Sequence, residues 1–198
     1  MFYKKHIIFH ICDRCIRWSA GREIPNREMR TILDAYHYSW GIFEPAKVLY
    51  SDGEGALNNN TAKGILKDKG TELRIRARGQ HATTIEARNG LLRGTMHITE
   101  EDLKNRDIPV NFTRLLAESL FVCNAFTFYN GVSPYNALFG RQPACLPDLN
   151  LPDHTSPTET SDHSREQQVR QVSIEAITQA TAVAKANRAL KTTTRQAG

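Results

Sequence analysis

No stretch of this 198-residue chain approaches the roughly 20 consecutive apolar residues that span a bilayer, so no membrane partner is expected. The start of the chain lacks the apolar block of a signal peptide: Ile7 to Cys12 is cut short by Asp13-Arg14. Disulfide spacing is missing too. Cys12, Cys15, Cys123 and Cys145 form no framework, and reduced thiols in an intracellular protein are the default expectation. Acid is scarce at the far end, where residues 169–198 hold Glu175 against Arg170, Lys185, Arg188, Lys191 and Arg195. The whole chain carries a formal charge of +5, a mild excess that suits a polyanion partner and many ordinary proteins alike.

What is present reads as one mixed α/β domain with an appendage. Residues 6–13, HIIFHICD, are rich in β-branched and aromatic side chains and predict a strand buried on both faces. Residues 17–24, RWSAGREI, read as its hairpin partner, with Asp13-Arg14 at the turn. Pro25-Asn26 ends the sheet, and Asn26 is the expected N-cap of a helix. Met29, Ile32, Leu33, Tyr36 and Trp40 give that helix one apolar face. A strand over 47–52, a short helix over 58–70 and a half-buried strand over 72–77 follow. Ile85, Leu92 and Met96 predict a helix over 83–97, weakened by Gly90 and Gly94 at about 1 kcal/mol each. The clearest helix spans 111–128, with Phe112, Leu115, Leu116, Ser119 and Cys123 on one stripe. From 144 to 168 the composition turns to Pro, Ser, Thr, Asp and His, which predicts a linker. An Ala-rich basic helix and tail over 169–198 complete the chain.

Two carboxylates stand out. Asp52 ends a predicted strand within Ser51-Asp52-Gly53, and Glu86 opens a predicted helix within Glu86-Ala87-Arg88-Asn89, with 33 residues between them. Downstream, Asn130 to Pro143 reads NGVSPYNALFGRQP. Together these pieces resemble the catalytic core of the retroviral-type integrases of long-terminal-repeat retrotransposons. The resemblance covers residues 1–143 and, more loosely, the helix after 169. It implies a ribonuclease-H-like mixed sheet flanked by helices, Mg²⁺ or Mn²⁺ as cofactor, and DNA as partner. It also implies that Asp52 and Glu86 are metal ligands, and that a homodimer forms through the core. Hard oxygen ligands of this kind suit Mg²⁺. Arg78, Arg88, Asn89 and Arg93 fall where the family touches DNA phosphates, contacts that position nucleic acid without reading its sequence. A solvated basic face, to which Arg74 and Arg76 also belong, is the equal alternative.

The family's third carboxylate sits on the first strand. By the family's spacing it falls at or just before Met1, because Met1-Phe2-Tyr3 looks like the tail of that strand. The expectation is therefore a truncated core, inactive or nearly so, with weak or absent metal binding. Asp13 is read as a turn residue. His6, His10, Cys12 and Cys15 carry zinc-type donors, yet one residue between the pairs is too short a segment for both to converge on one ion. They are read as core or structural residues. The first functional reading is an integrase-type polynucleotidyl transferase fragment, nuclear if functional. The second is a non-catalytic module that binds nucleic acid or associates with itself.

Overall fold

The computed structural model describes residues 1–41, 43–52, 55–76, 83–143 and 160–196; of 160–164 and 191–196 it describes the backbone. The chain divides into two compact units. The first comprises residues 1–12 and 19–89, and the second residues 13–18 and 90–198.

In the first unit, β1 (Phe2–Tyr3), β2 (His6–Cys12) and β3 (Ser19–Ile24) form an antiparallel sheet in that order. The long pairing is β2 with β3, running from Ile7↔Ile24 to Cys12↔Ser19. Helix α1 (Met29–Trp40) follows. Its N-cap is Glu28, which makes no side-chain cap, not the expected Asn26. Asn26 lies too far ahead of the first turn, and its Oδ1 instead accepts the Glu28 N–H at 3.1 Å and the Thr31 hydroxyl at 2.7 Å.

Strand β4 (Val48–Ser51) leads to α2 (Asn60–Asp68), then to β5 (Glu72–Ile75), which pairs parallel with β4. Asn59 caps α2 by accepting the Ala62 N–H at 2.8 Å. Gly70 stops it at φ +81°, a conformation open to glycine at little cost. The expected single mixed sheet is not formed as one ladder among the described residues: β1–β2–β3 and β4–β5 are separate sheets. The physical reason is the length of β1. A two-residue strand exposes too few N–H and C=O groups on its outer edge to carry a further ladder.

The two sheets nevertheless share a core. Leu33, Tyr36, Leu57, Ala62 and Leu66 are buried together, with Phe9 and Ile11 from β2, Leu49 from β4 and Leu73 from β5 packed against them. Fully burying a side chain such as Leu66 contributes about 1.5–3 kcal/mol. Strand β2 is less covered than expected. Ile8 alone is fully buried and the other six residues are half-buried.

The second unit is helical. Helix α3 (Thr83–Asn105) continues eight residues past the expected end and supplies its residues from 90 onward to this unit. Leu92, Thr95, Met96, Thr99 and Leu103 are buried along it. Helix α4 (Phe112–Phe126) is capped by Asn111, whose Oδ1 accepts the Arg114 N–H at 2.8 Å. The expected linker lies partly outside the described residues, over 144–159, and its remainder is helical, because α6 runs from Thr160 to Gln196. Val169, Val172, Ser173, Ala176, Ile177 and Ala180 are buried at helical spacing on α6, which packs on α4.

The short helix α5 (Pro134–Phe139) explains the Ser-Pro-Tyr segment. Ser133 is buried and its Oγ accepts the Asn136 N–H at 3.1 Å. Pro134 takes the first helical position, where a missing N–H costs nothing. Gly140 closes the helix at φ +68°, donating its N–H to Asn136 O at 2.8 Å. Tyr135 stacks against Phe139 at 4.7 Å between centroids, and Trp18 meets Phe139 edge-on at 5.7 Å. Asp13 opens the turn that delivers Trp18, its Oδ1 accepting the Cys15 and Ile16 N–H groups at 2.8 Å each.

Candidate metal and nucleic-acid site

The parallel register of β4 and β5 ends on Ser51↔Ile75, so both strands finish at one edge of their sheet. The Arg76 N–H donates to Ser51 O at 2.9 Å and holds that edge closed. Asp52 follows directly and is exposed. Its carboxylate lies against Gly55: a Cβ built on that glycine would stand 2.9 Å from Asp52 Oδ1 and 3.2 Å from Ser51 Oγ. The turn therefore gathers a carboxylate and a hydroxyl around a position that only glycine leaves clear. Gly55 was not expected at the site, whereas Ser51 belongs to the Ser51-Asp52-Gly53 segment read from the sequence. The signal was present in the sequence as the small residues that flank Asp52.

Glu86 lies in the first turn of α3 and is exposed. Asp52 and Glu86 both belong to the first unit. Their donor atoms are the hard, anionic oxygens that a divalent ion of the Mg²⁺ type takes. Among the described residues no group of three or more His, Cys, Asp or Glu converges tightly enough to hold a metal. The zinc-type residues serve other ends. His6 Nδ1 is 2.6 Å from Glu23 Oε1, and His10 Nδ1 is 2.6 Å from Asn89 Oδ1.

The basic residues divide into distinct environments. Arg88 is 3% exposed and its Nε donates to Ser19 Oγ at 3.0 Å, which places the guanidinium inside the first unit. Asn89 is half-buried with its amide oxygen at His10. Arg93 is exposed on the part of α3 that belongs to the second unit. Arg78 lies outside the described residues. Arg74 grips Glu72 with two nitrogens at 2.8 and 2.9 Å, and Arg76 stands 5.5 Å from the centre of the Tyr50 ring. The burial of Arg88 had no sequence signal, since an arginine between two exposed-type residues reads as solvated.

His10 is the perturbed group of this unit. Burial pushes its imidazole down from 6.5 to about 4; the Asn89 hydrogen bond works against that, while the Arg88 and chain-terminal charges add to it. The ring is neutral at ordinary pH. With Nδ1–H donating to Asn89 Oδ1, Nε2 is the bare nitrogen, and it is buried with no hydrogen-bond partner among the described residues.

The fold is similar to that of an integrase catalytic core. Among the solved structures it resembles is the catalytic core domain of BIV integrase, with a TM-score of 0.58 at 13% identity over 69% of this chain and 88% of that one. No family model matches the chain, and no curated protein sequence matches it either. No helix among the described residues is long and apolar enough to cross a membrane.

Proposed function

We propose that this chain is an integrase-type polynucleotidyl transferase core of a retroelement, with DNA as substrate and Asp52 and Glu86 as its divalent-metal ligands. The observation that carries this reading is the placement of Asp52 at the carboxyl edge of a parallel strand pair, within a fold similar to that of an integrase catalytic core. Asp52 and Glu86 would hold Mg²⁺ or Mn²⁺ as anionic oxygen ligands. The chemistry such an ion supplies is activation of the attacking oxygen and neutralisation of the leaving oxygen at a phosphodiester. Gly55 keeps the Asp52 carboxylate free of a neighbouring side chain. Arg93, and Arg78 in the segment before α3, would contact DNA phosphates without reading sequence. Two carboxylates, completed by water and substrate phosphate, are the ligands this reading gives the ion, and strand transfer on DNA in the nucleus is the activity it implies.

Mn²⁺ titration of the full chain, followed by its paramagnetic effect on water relaxation, tests this. Weak binding that falls at least about tenfold in both Asp52→Asn and Glu86→Gln is expected. Binding untouched by either change refutes the pair. DNA affinity that declines with added salt, and declines further in Arg93→Ala, is expected for phosphate contact.

A second reading, a self-associating module without catalysis, is favoured by one feature of the second unit. Phe128, Val132 and Phe139 are 55%, 43% and 49% exposed, apolar surface of the kind a homodimer contact would use. Sedimentation of the full chain separates the readings, since monomer at all concentrations removes the second.

A further inference from the structure

Directly after Glu86, α3 sends two polar side chains back onto the three-stranded sheet. Arg88 Nε reaches Ser19 Oγ at 3.0 Å and Asn89 Oδ1 reaches His10 Nδ1 at 2.6 Å, bonds that span 69 and 79 residues of chain. The receiving residues lie on one face. Ser19 pairs with Cys12 and Gly21 with His10, and side chains alternate along a strand, so positions 10, 12, 19 and 21 point the same way. Gly21 is a condition of the arrangement. A Cβ there would stand 2.7 Å from Phe9 O, a backbone clash that keeps this position of β3 a glycine, and at 3.7 Å would only touch His10 Cδ2.

Consecutive helix residues project about 100° apart around the axis. A single bond to the sheet would leave the helix free to roll about it. Two bonds at different azimuths, made to two neighbouring strands, fix both rotation and height. Glu86 precedes Asn89 by three residues, less than one turn, and so takes its direction from the same two bonds. The first unit's share of α3 ends at Asn89, where this anchoring ends. A histidine placed only for packing would not need its Nδ1–H at the half-buried Asn89 amide while its buried Nε2 has no donor.

We propose that His10, Ser19, Arg88 and Asn89 form a clasp that sets the rotation of the first turns of α3 and thereby aims Glu86. In this assignment Arg88 and Asn89 are positioning residues that act through the helix, not contacts to DNA. The role rests on the reading of Asp52 and Glu86 as a metal pair, and its test keeps the two apart.

The experiment uses the full chain as His10→Leu, His10→Gln and Asn89→Ala variants, each shown to be folded by circular dichroism. Backbone hydrogen exchange is read over residues 84–89, and Mn²⁺ affinity is measured on the same samples. Exchange over 84–89 is expected to rise at least about tenfold in His10→Leu and Asn89→Ala, while His10→Gln, which restores an N–H donor, returns it to within about twofold of the parent. Mn²⁺ affinity is expected to fall about tenfold in the first two and to recover in the third, the scale of lost outer-sphere support. Exchange over 84–89 unchanged in the folded His10→Leu variant overturns the clasp, whatever the metal does. Raised exchange with Mn²⁺ affinity intact overturns the aiming of Glu86. Should Asp52→Asn and Glu86→Gln leave Mn²⁺ binding untouched, the metal pair fails, the aiming role with it, and exchange alone decides whether the clasp holds the helix.

Discussion

Two helix glutamates, one in each unit, show opposite uses of the same side chain. Glu86 stands exposed in the first turn of α3. Glu118, in the middle of α4, is 4% exposed; its oxygens accept from Arg170 Nε and, at 3.1 Å, Arg170 Nη2, and Arg114 Nη2 forms an ion pair with it at 3.1 Å. Arg170 also lies 4.1 Å from the centre of the Phe121 ring. The carboxylate of Glu118 is spent on joining α4 to α6. That of Glu86 stands exposed in the first turn of α3, while its neighbours Arg88 and Asn89 bond to the three-stranded sheet.

The sharpest way to break that comparison is to remove each charge. Glu118→Leu should cost about 3 kcal/mol in urea denaturation, the low end for a severed buried pair because both arginines keep some contact with water. Asp52→Asn and Glu86→Gln should each stay within about 0.5 kcal/mol of the parent, as exposed positions do. Equal losses at Glu86 and Glu118 would remove the distinction.

His10 sharpens the contrast through pH. Its folded value, about 4, lies below the ordinary 6.5, so between these the unfolded chain binds the proton more readily. The stability that its neutral ring contributes is complete above about pH 6.5 and is lost as pH falls toward 4. The loss amounts to about 2–3 kcal/mol. Urea midpoints across this window should fall more steeply for the parent than for His10→Gln. Parallel curves would mean that the imidazole is not desolvated.

The same contrast sorts what could be read from the sequence. The hairpin, the apolar face of α1 and the stripe on α4 were legible because β-branched alternation and helical spacing are local signals. The α5 segment stood out in the sequence only through the resemblance it carries, and its Ser133 cap is seen in the structure. Ser133→Ala should cost about 1 kcal/mol of stability if its oxygen caps the Asn136 N–H as it does here. The far end of α3 was not legible, because Thr95 and Thr99 are polar residues buried on a face that Gly90 and Gly94 already weaken. Nor was the start of α6: residues 160–168 are polar, and their helix is held by partners distant in sequence, such as the Arg114–Glu166 pair. At the candidate site, Asp52 and Glu86 were legible as residue types at a spacing. The burial of Arg88 was not, since only the register of β2 with β3 puts Ser19 where the guanidinium can reach it.

The smallest effect on stability is the most pointed for function. Gly55→Ala places a methyl 2.9 Å from Asp52 Oδ1, closer than carbon and oxygen remain. Asp52 is exposed and its carboxylate is the free end of a side chain, so it swings aside at little cost. Stability should therefore change by less than about 0.5 kcal/mol. The displaced carboxylate no longer faces the position it now holds, and Mn²⁺ affinity should drop as far as in Asp52→Asn. An alanine variant with full stability and full Mn²⁺ affinity would show that the crowding around Gly55 serves the turn alone. One with full stability and lost affinity would tie the glycine to the ion, a separation of folding from function that the buried Glu118 cannot offer.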